Sequence, residues 1–146
     1  MFTFKLQTVL DARKTKEEQI LAEFTEQARL LEKEKESLVE MGTEKERLLQ
    51  HLREGKNRLL HPAGIDLQIS YIKVWNRKLV LQKNLVLTIA QDVEKKRHVL
   101  LEMVKDRKIM ENLKERHLKE HLLRQSMQER LAADETAVQR YERKDR

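Results

Sequence analysis

His61-Pro62-Ala63-Gly64 decides the fold. These four residues hold the only proline of the chain and one of its three glycines. Proline lacks the amide hydrogen that a helix interior needs and clashes with the preceding turn, while glycine accepts the positive φ of a helix end. Nothing comparable interrupts the long charged stretches on either side. The sequence therefore predicts an all-α fold, a long antiparallel two-helix coiled-coil hairpin over residues 1–146. Its first helix is expected over about 5–60, its turn over 61–65 and its second helix over about 66–144, with Asp66 as N-cap or first-turn acid. At about 1.5 Å per residue the helices reach roughly 85 and 120 Å, leaving about the last 20 residues of the second without a partner. A monomeric hairpin of this kind has no interior for an active site. It holds, spans or recruits.

Composition agrees. Charged residues make up 38% of the chain and aromatics 4%, against about 25% charged in an average soluble domain. Apolar residues, at 39%, recur with helical spacing, which separates the chain from disordered sequences. It contains no cysteine, which excludes disulfides and thiolate metal sites. No apolar run approaches the roughly 18 residues of a membrane span, and MFTFKLQTVLDARK lacks the layout of a signal peptide, so a cytosolic protein is expected. The net charge of +6 lies in the second helix, because residues 1–65 carry twelve basic and twelve acidic side chains.

In the first helix a spacing of seven selects Leu10, Phe24, Leu31, Leu38, Leu52 and Leu59, with Glu17 and Lys45 as exceptions. A companion row of Leu6, Ile20, Met41 and Leu48 is interrupted by Arg13, Gln27, Glu34 and Gly55. This is a coiled-coil seam with polar defects. Glu26/Arg29, Glu32/Lys35 and Glu54/Arg58 support the exposed faces by a few tenths of a kcal/mol each. Gly42 and Gly55 mark soft points rather than ends. The second helix repeats Ile65, Ile72, Leu79, Val86, Val93 and Leu100. The next members are Arg107 and Lys114, so the register is expected to shift there to a new seam of Met110, Leu113, Met127, Leu131, Val138 and Tyr141.

Residues 67–91 are too apolar for one seam. Tyr71, Val74, Trp75, Val80, Leu81, Leu85, Leu87 and Ile89 accompany the heptad row, and Lys73, Arg77, Lys78 and Lys83 face no carboxylate. A surplus of this kind marks a partner surface, with self-association or a thickened local core as the alternatives. His117-Leu118-Lys119-Glu120-His121 spells H-x-x-E-H, a zinc-peptidase pattern. A charged hairpin supplies neither a third ligand nor a cavity, and a solvated helix face is expected. The three serines lie in no G-x-S-x-G turn, and there is no phosphate-binding glycine loop. No enzyme, cofactor or metal site is expected.

Both ends of the chain resemble the FliJ family of flagellar type III export proteins. The N-terminal FKLQTVLDARKTKEEQ carries Phe4, Leu6, Gln7, Val9, Leu10, Arg13 and Glu17 where that family begins its first helix. The stretch LKERHLKEHLLRQSMQERLAADETAVQRYERK places Glu129, Asp134, Glu135 and Arg140-Tyr141 at the family's closing separations. The resemblance implies a non-enzymatic coiled-coil stalk of the export ATPase, a FliI-type hexamer. It also implies contact with the FlhA-type membrane export gate and service to export chaperones. The chain is then cytoplasmic and peripheral to the inner face of the cell membrane, and no nucleic-acid partner is implied. For the ATPase the expected surface is Phe4, Leu6, Leu10 and Arg13 with Leu131, Val138, Arg140 and Tyr141. For the gate it is Tyr71, Val74, Trp75, Lys78, Leu81 and Leu85. The alternatives are the equivalent stalk of a virulence-type injectisome, and a holdase-like or nucleic-acid-binding hairpin, whose affinity for nucleic acid would fall steeply with salt.

Overall fold

The computed structural model describes residues 2–55 and 62–142. The fold is all-α, a helical hairpin of α1 (Gln7–Gly55) and α2 (Pro62–Glu142), with no strand among the described residues. The expected end of the first helix, with Leu59, Arg58 and the first residue of the turn, lies outside the described residues.

Proline marks the beginning of a helix rather than a turn. At the first helical position its missing amide hydrogen costs nothing, and its fixed φ already suits the helix. Consequently Ala63, Gly64 and Ile65 are helical, Gly64 has no positive φ, and the first turn of α2 contains no acid, Asp66 lying just beyond it. Residues 62–65 of the expected turn are therefore helix, and Asp66 neither caps α2 nor lies in its first turn.

The helices pack in two units. One comprises Met1–Glu18 with Leu101–Arg146, the other Gln19–Leu100. In the second unit both heptad rows of α1 are at least half-buried. They include Phe24, Leu31, Leu38 and Leu52 together with the polar Gln27, Glu34 and Lys45. They meet Ile72, Leu79, Val86, Val93 and Leu100 of α2, and the second α2 row of Trp75, Gln82, Ile89 and Lys96 completes the seam. Leu31 and Ile89 are the buried apolar residues here. The remainder are only half-covered because two helices shield one stripe of each other. Ile89 and Trp75, counted from sequence in the apolar surplus, belong to this seam.

Gln82 and Lys96, polar seam residues of α2, reach across to acids of α1. The Gln82 amide donates to the Glu34 carboxylate at 2.6 Å and to its backbone carbonyl at 3.1 Å. Lys96 pairs with Glu23 at 2.7 Å. The ion pairs Glu26/Arg29 and Glu32/Lys35 form along α1 as expected. Hydrogen bonding to Arg29, reinforced by its charge, holds the Glu26 carboxyl below its ordinary range.

Gly42 lies in the interior of α1 with nothing within 4 Å of the place a Cβ would occupy, and its φ is not positive. Gly42→Ala should raise stability by about 0.5–1 kcal/mol, by lowering the entropy of the unfolded chain and restoring helix propensity. Thermal denaturation followed by circular dichroism measures it; an unchanged or lower midpoint would show that the glycine serves a bend.

Candidate interaction surfaces

The terminal unit is built around a small buried apolar cluster. Residues ahead of α1 fold under it: the Gln7 amide donates to the Phe4 carbonyl at 3.0 Å, and the Leu10 amide to that of Leu6 at 3.0 Å. Phe4, Leu10 and Met110 form a buried cluster, with Phe2 and Leu113 packed against it. Leu10 is only 1% exposed.

Around this cluster polar seam residues of α1 meet those of α2. The Arg107 guanidinium bridges Glu17 at 2.6 Å and Glu111 at 2.7 Å. Lys114 donates to the Gln7 side-chain carbonyl at 2.7 Å. Arg13 donates to the Asp106 backbone carbonyl at 3.1 Å, with the Asp106 carboxylate 3.8 Å away. The hydrogen bond from Arg107 holds the Glu111 carboxyl below its ordinary value, while the same bonds to Glu17 and Glu111 raise the pKa of the guanidinium.

These contacts correct the expected change of seam. Arg107, Lys114 and His121 continue the heptad of Ile65 to Leu100 without a break. A basic residue can stay in the seam because an acid or amide on α1 stands opposite it. Met110 belongs to the companion row of that same seam, and Leu113 packs beside it. Met127, Leu131, Val138 and Tyr141 form no intramolecular seam, being 57–72% exposed.

The H-x-x-E-H stretch is not a purely solvated face either. The ring of His117 stands edge-on to Phe4 at 5.9 Å between centroids, and that of His121 lies 5.7 Å from Phe2. Among the described residues no group of three or more His, Cys, Asp or Glu side chains is placed to hold a metal ion.

Two exposed apolar surfaces among the described residues coincide with the expected partner sites. Within the terminal unit every residue of α2 from Met127 through Tyr141 is exposed. Of the residues expected at the ATPase, Leu131, Val138, Arg140 and Tyr141 lie on this bare segment, and Leu6 is exposed at the start of the unit. Phe4 and Leu10 are core side chains, and Arg13 is engaged with Asp106.

The other surface belongs to the hairpin unit. Tyr71, Val74, Leu81 and Leu85 are exposed there, together with Val80 and Leu87. Lys78 places its ammonium 5.4 Å from the ring centre of the half-buried Trp75, a favourable cation–π contact. An open apolar groove is lined by Asn76, Arg77, Val80 and Leu81. Sequence reasoning missed the Glu17–Arg107 and Gln7–Lys114 pairs. A signal for the first was available, since Glu17 and Arg107 are the polar exceptions in the heptads of their helices; Lys114 is another, but Gln7 stands outside the two rows of α1.

The described residues define an all-α helical hairpin whose second helix carries exposed apolar side chains along Met127–Tyr141. The family model of the flagellar FliJ protein matches residues 1–146, and the chain belongs to that family. It is thereby a component of flagellar protein export. No curated protein and no solved structure matches the chain. No helix among the described residues is long and apolar enough to cross a membrane.

Proposed function

We propose that the chain is the non-enzymatic stalk of the flagellar export ATPase, a FliI-type hexamer. In this reading it binds the ring through the exposed end of α2 and also engages an FlhA-type export gate, with export chaperones as further clients. The protein then works in the cytoplasm, against the inner face of the membrane that holds the gate. The observation that carries the reading is the bare segment Met127–Tyr141: a helix that keeps Leu131, Val138 and Tyr141 in water gains stability when a ring covers them. The basic, carboxylate-free surface around Tyr71, Val74 and Leu81 suits a second, acidic partner, assigned here to the gate.

The experiment is stimulation of the export ATPase by the wild type, by Tyr141→Ala with Val138→Ala, and by a chain ending at Ala132. Stimulation should fall strongly with the double substitution and vanish with the truncation, while helicity per residue persists. Equal stimulation by all three overturns the stalk reading. Arg13 is a poor probe, because its removal also breaks the contact with Asp106. A parallel arm measures gate binding by Val74→Ala with Leu81→Ala; unchanged affinity removes the gate from this surface.

A further inference from the structure

The two exposed surfaces of α2 fit each other. On the hairpin unit, Tyr71, Val74, Lys78, Leu81 and Leu85 advance by steps of three, four, three and four residues, and all are exposed. On the terminal unit, Met127, Leu131, Asp134, Val138 and Tyr141 advance by four, three, four and three, again all exposed. Each series is the narrow apolar stripe of a coiled-coil seam, and each has one charged residue at its centre. The spacing points to a helix as the occupant of both, rather than to the broad apolar face of a membrane-surface helix.

We infer that Met127–Tyr141 of one copy of this chain packs antiparallel on Tyr71–Leu85 of a second copy. Setting Asp134 against Lys78 with the helices antiparallel brings Leu131 opposite Leu81 and Val138 opposite Val74. One step further out, Met127 meets Leu85 and Tyr141 meets Tyr71. Every step of three on one helix faces a step of three on the other. With the helices parallel, a three faces a four and the match is lost after one step. Sliding by a heptad sets Asp134 against Tyr71 or Leu85 and leaves a desolvated carboxylate without its cation. The central charge pair thus selects one register, as single polar seam residues do in coiled coils.

The wider charge is also complementary. Residues 71–85 hold Lys73, Arg77, Lys78 and Lys83 and no carboxylate, whereas 127–141 hold three carboxylates against two arginines. Lys78 is already steadied by Trp75. Both segments belong to the one continuous helix α2, so the contact forms between copies and not within one. The pairing stands on register and charge and not on the partners proposed above. It has a consequence for them: it covers both proposed partner surfaces at once, so associated copies are withdrawn from ATPase and gate together.

The chain has no cysteine, which makes the test direct. Full-length Leu81→Cys mixed with full-length Leu131→Cys under mild oxidation should give a covalent pair of chains. Leu81→Cys mixed with Tyr141→Cys, out of register, should give much less. Sedimentation of the unmodified protein should show reversible association at high concentration. Lys78→Asp and Asp134→Lys each should raise the concentration required several-fold, because like charges then face each other. The two substitutions in one chain should restore it. A monomer at every concentration overturns the inference, and so does equal cross-linking in and out of register; the ATPase and gate assays then still decide the proposed function independently.

Discussion

Leu10→Ala should lower stability by about 2–3 kcal/mol, the lower part of the range for deleting a buried leucine. Leu10 is almost completely enclosed by Phe4 and Met110, and truncation removes its contacts with both. The loss falls short of the upper range because a two-helix layer has open flanks through which neighbours and water close the gap. The effect should be local first. Amide exchange along residues 7–18 and 105–118 should quicken, while protection around Leu31 and Ile89, in the other packing unit, changes less. Leu131→Ala is the control: it removes the same atoms from a side chain that is already exposed, and should leave the unfolding midpoint almost unchanged. Equal losses at the two positions would show that Leu10 does not carry the packing of the terminal unit.

The second large effect belongs to Glu17 and Arg107, whose side chains are 18% and 24% exposed. Arg107→Leu leaves the carboxylates of Glu17 and Glu111 without the guanidinium that separates them, and should lower the unfolding midpoint clearly. Glu17→Leu is milder, because Arg107 retains Glu111. The double change to leucine should recover most or all of the loss, since a half-buried ion pair is often replaceable by apolar residues of similar size. The acid profile supplies an independent sign. Glu111 is held below its ordinary value of 4.5, so its contribution is complete above that value and disappears as the pH falls through the lowered one. In Arg107→Leu that acid-dependent part should shrink to what Lys14, 3.6 Å from the Glu111 carboxylate, still supplies. If both single variants and the double variant melt alike, and with one acid profile, the pair contributes nothing to the terminal unit.

These two tests separate the kinds of information carried by the chain. The class of fold follows from local rules. Heptad spacing and the scarcity of proline and glycine specify long amphipathic helices, and the one break between them lets them fold back. The family was equally legible, since Phe4, Leu6, Leu10 and Arg13 stand in a short and distinctive N-terminal motif. The exposed surplus at Tyr71, Val74, Leu81 and Leu85 also followed from sequence, because a single seam has too few positions to hold it.

The roles of particular side chains did not follow. Pro62 reads equally as a turn or as a first helical residue, and only the path of the backbone distinguishes the two. Arg107 and Lys114 read as the end of a seam when α2 is considered alone. They become part of it once α1 brings Glu17 and Gln7 opposite. His117 and His121 read as solvated until the residues preceding α1 fold Phe4 and Phe2 against them. Periodicity along one helix reports which residues share a face, and that much the sequence by itself determined. Which of those faces is covered, and by what, depends on residues about a hundred positions away, and only the tertiary structure decided it.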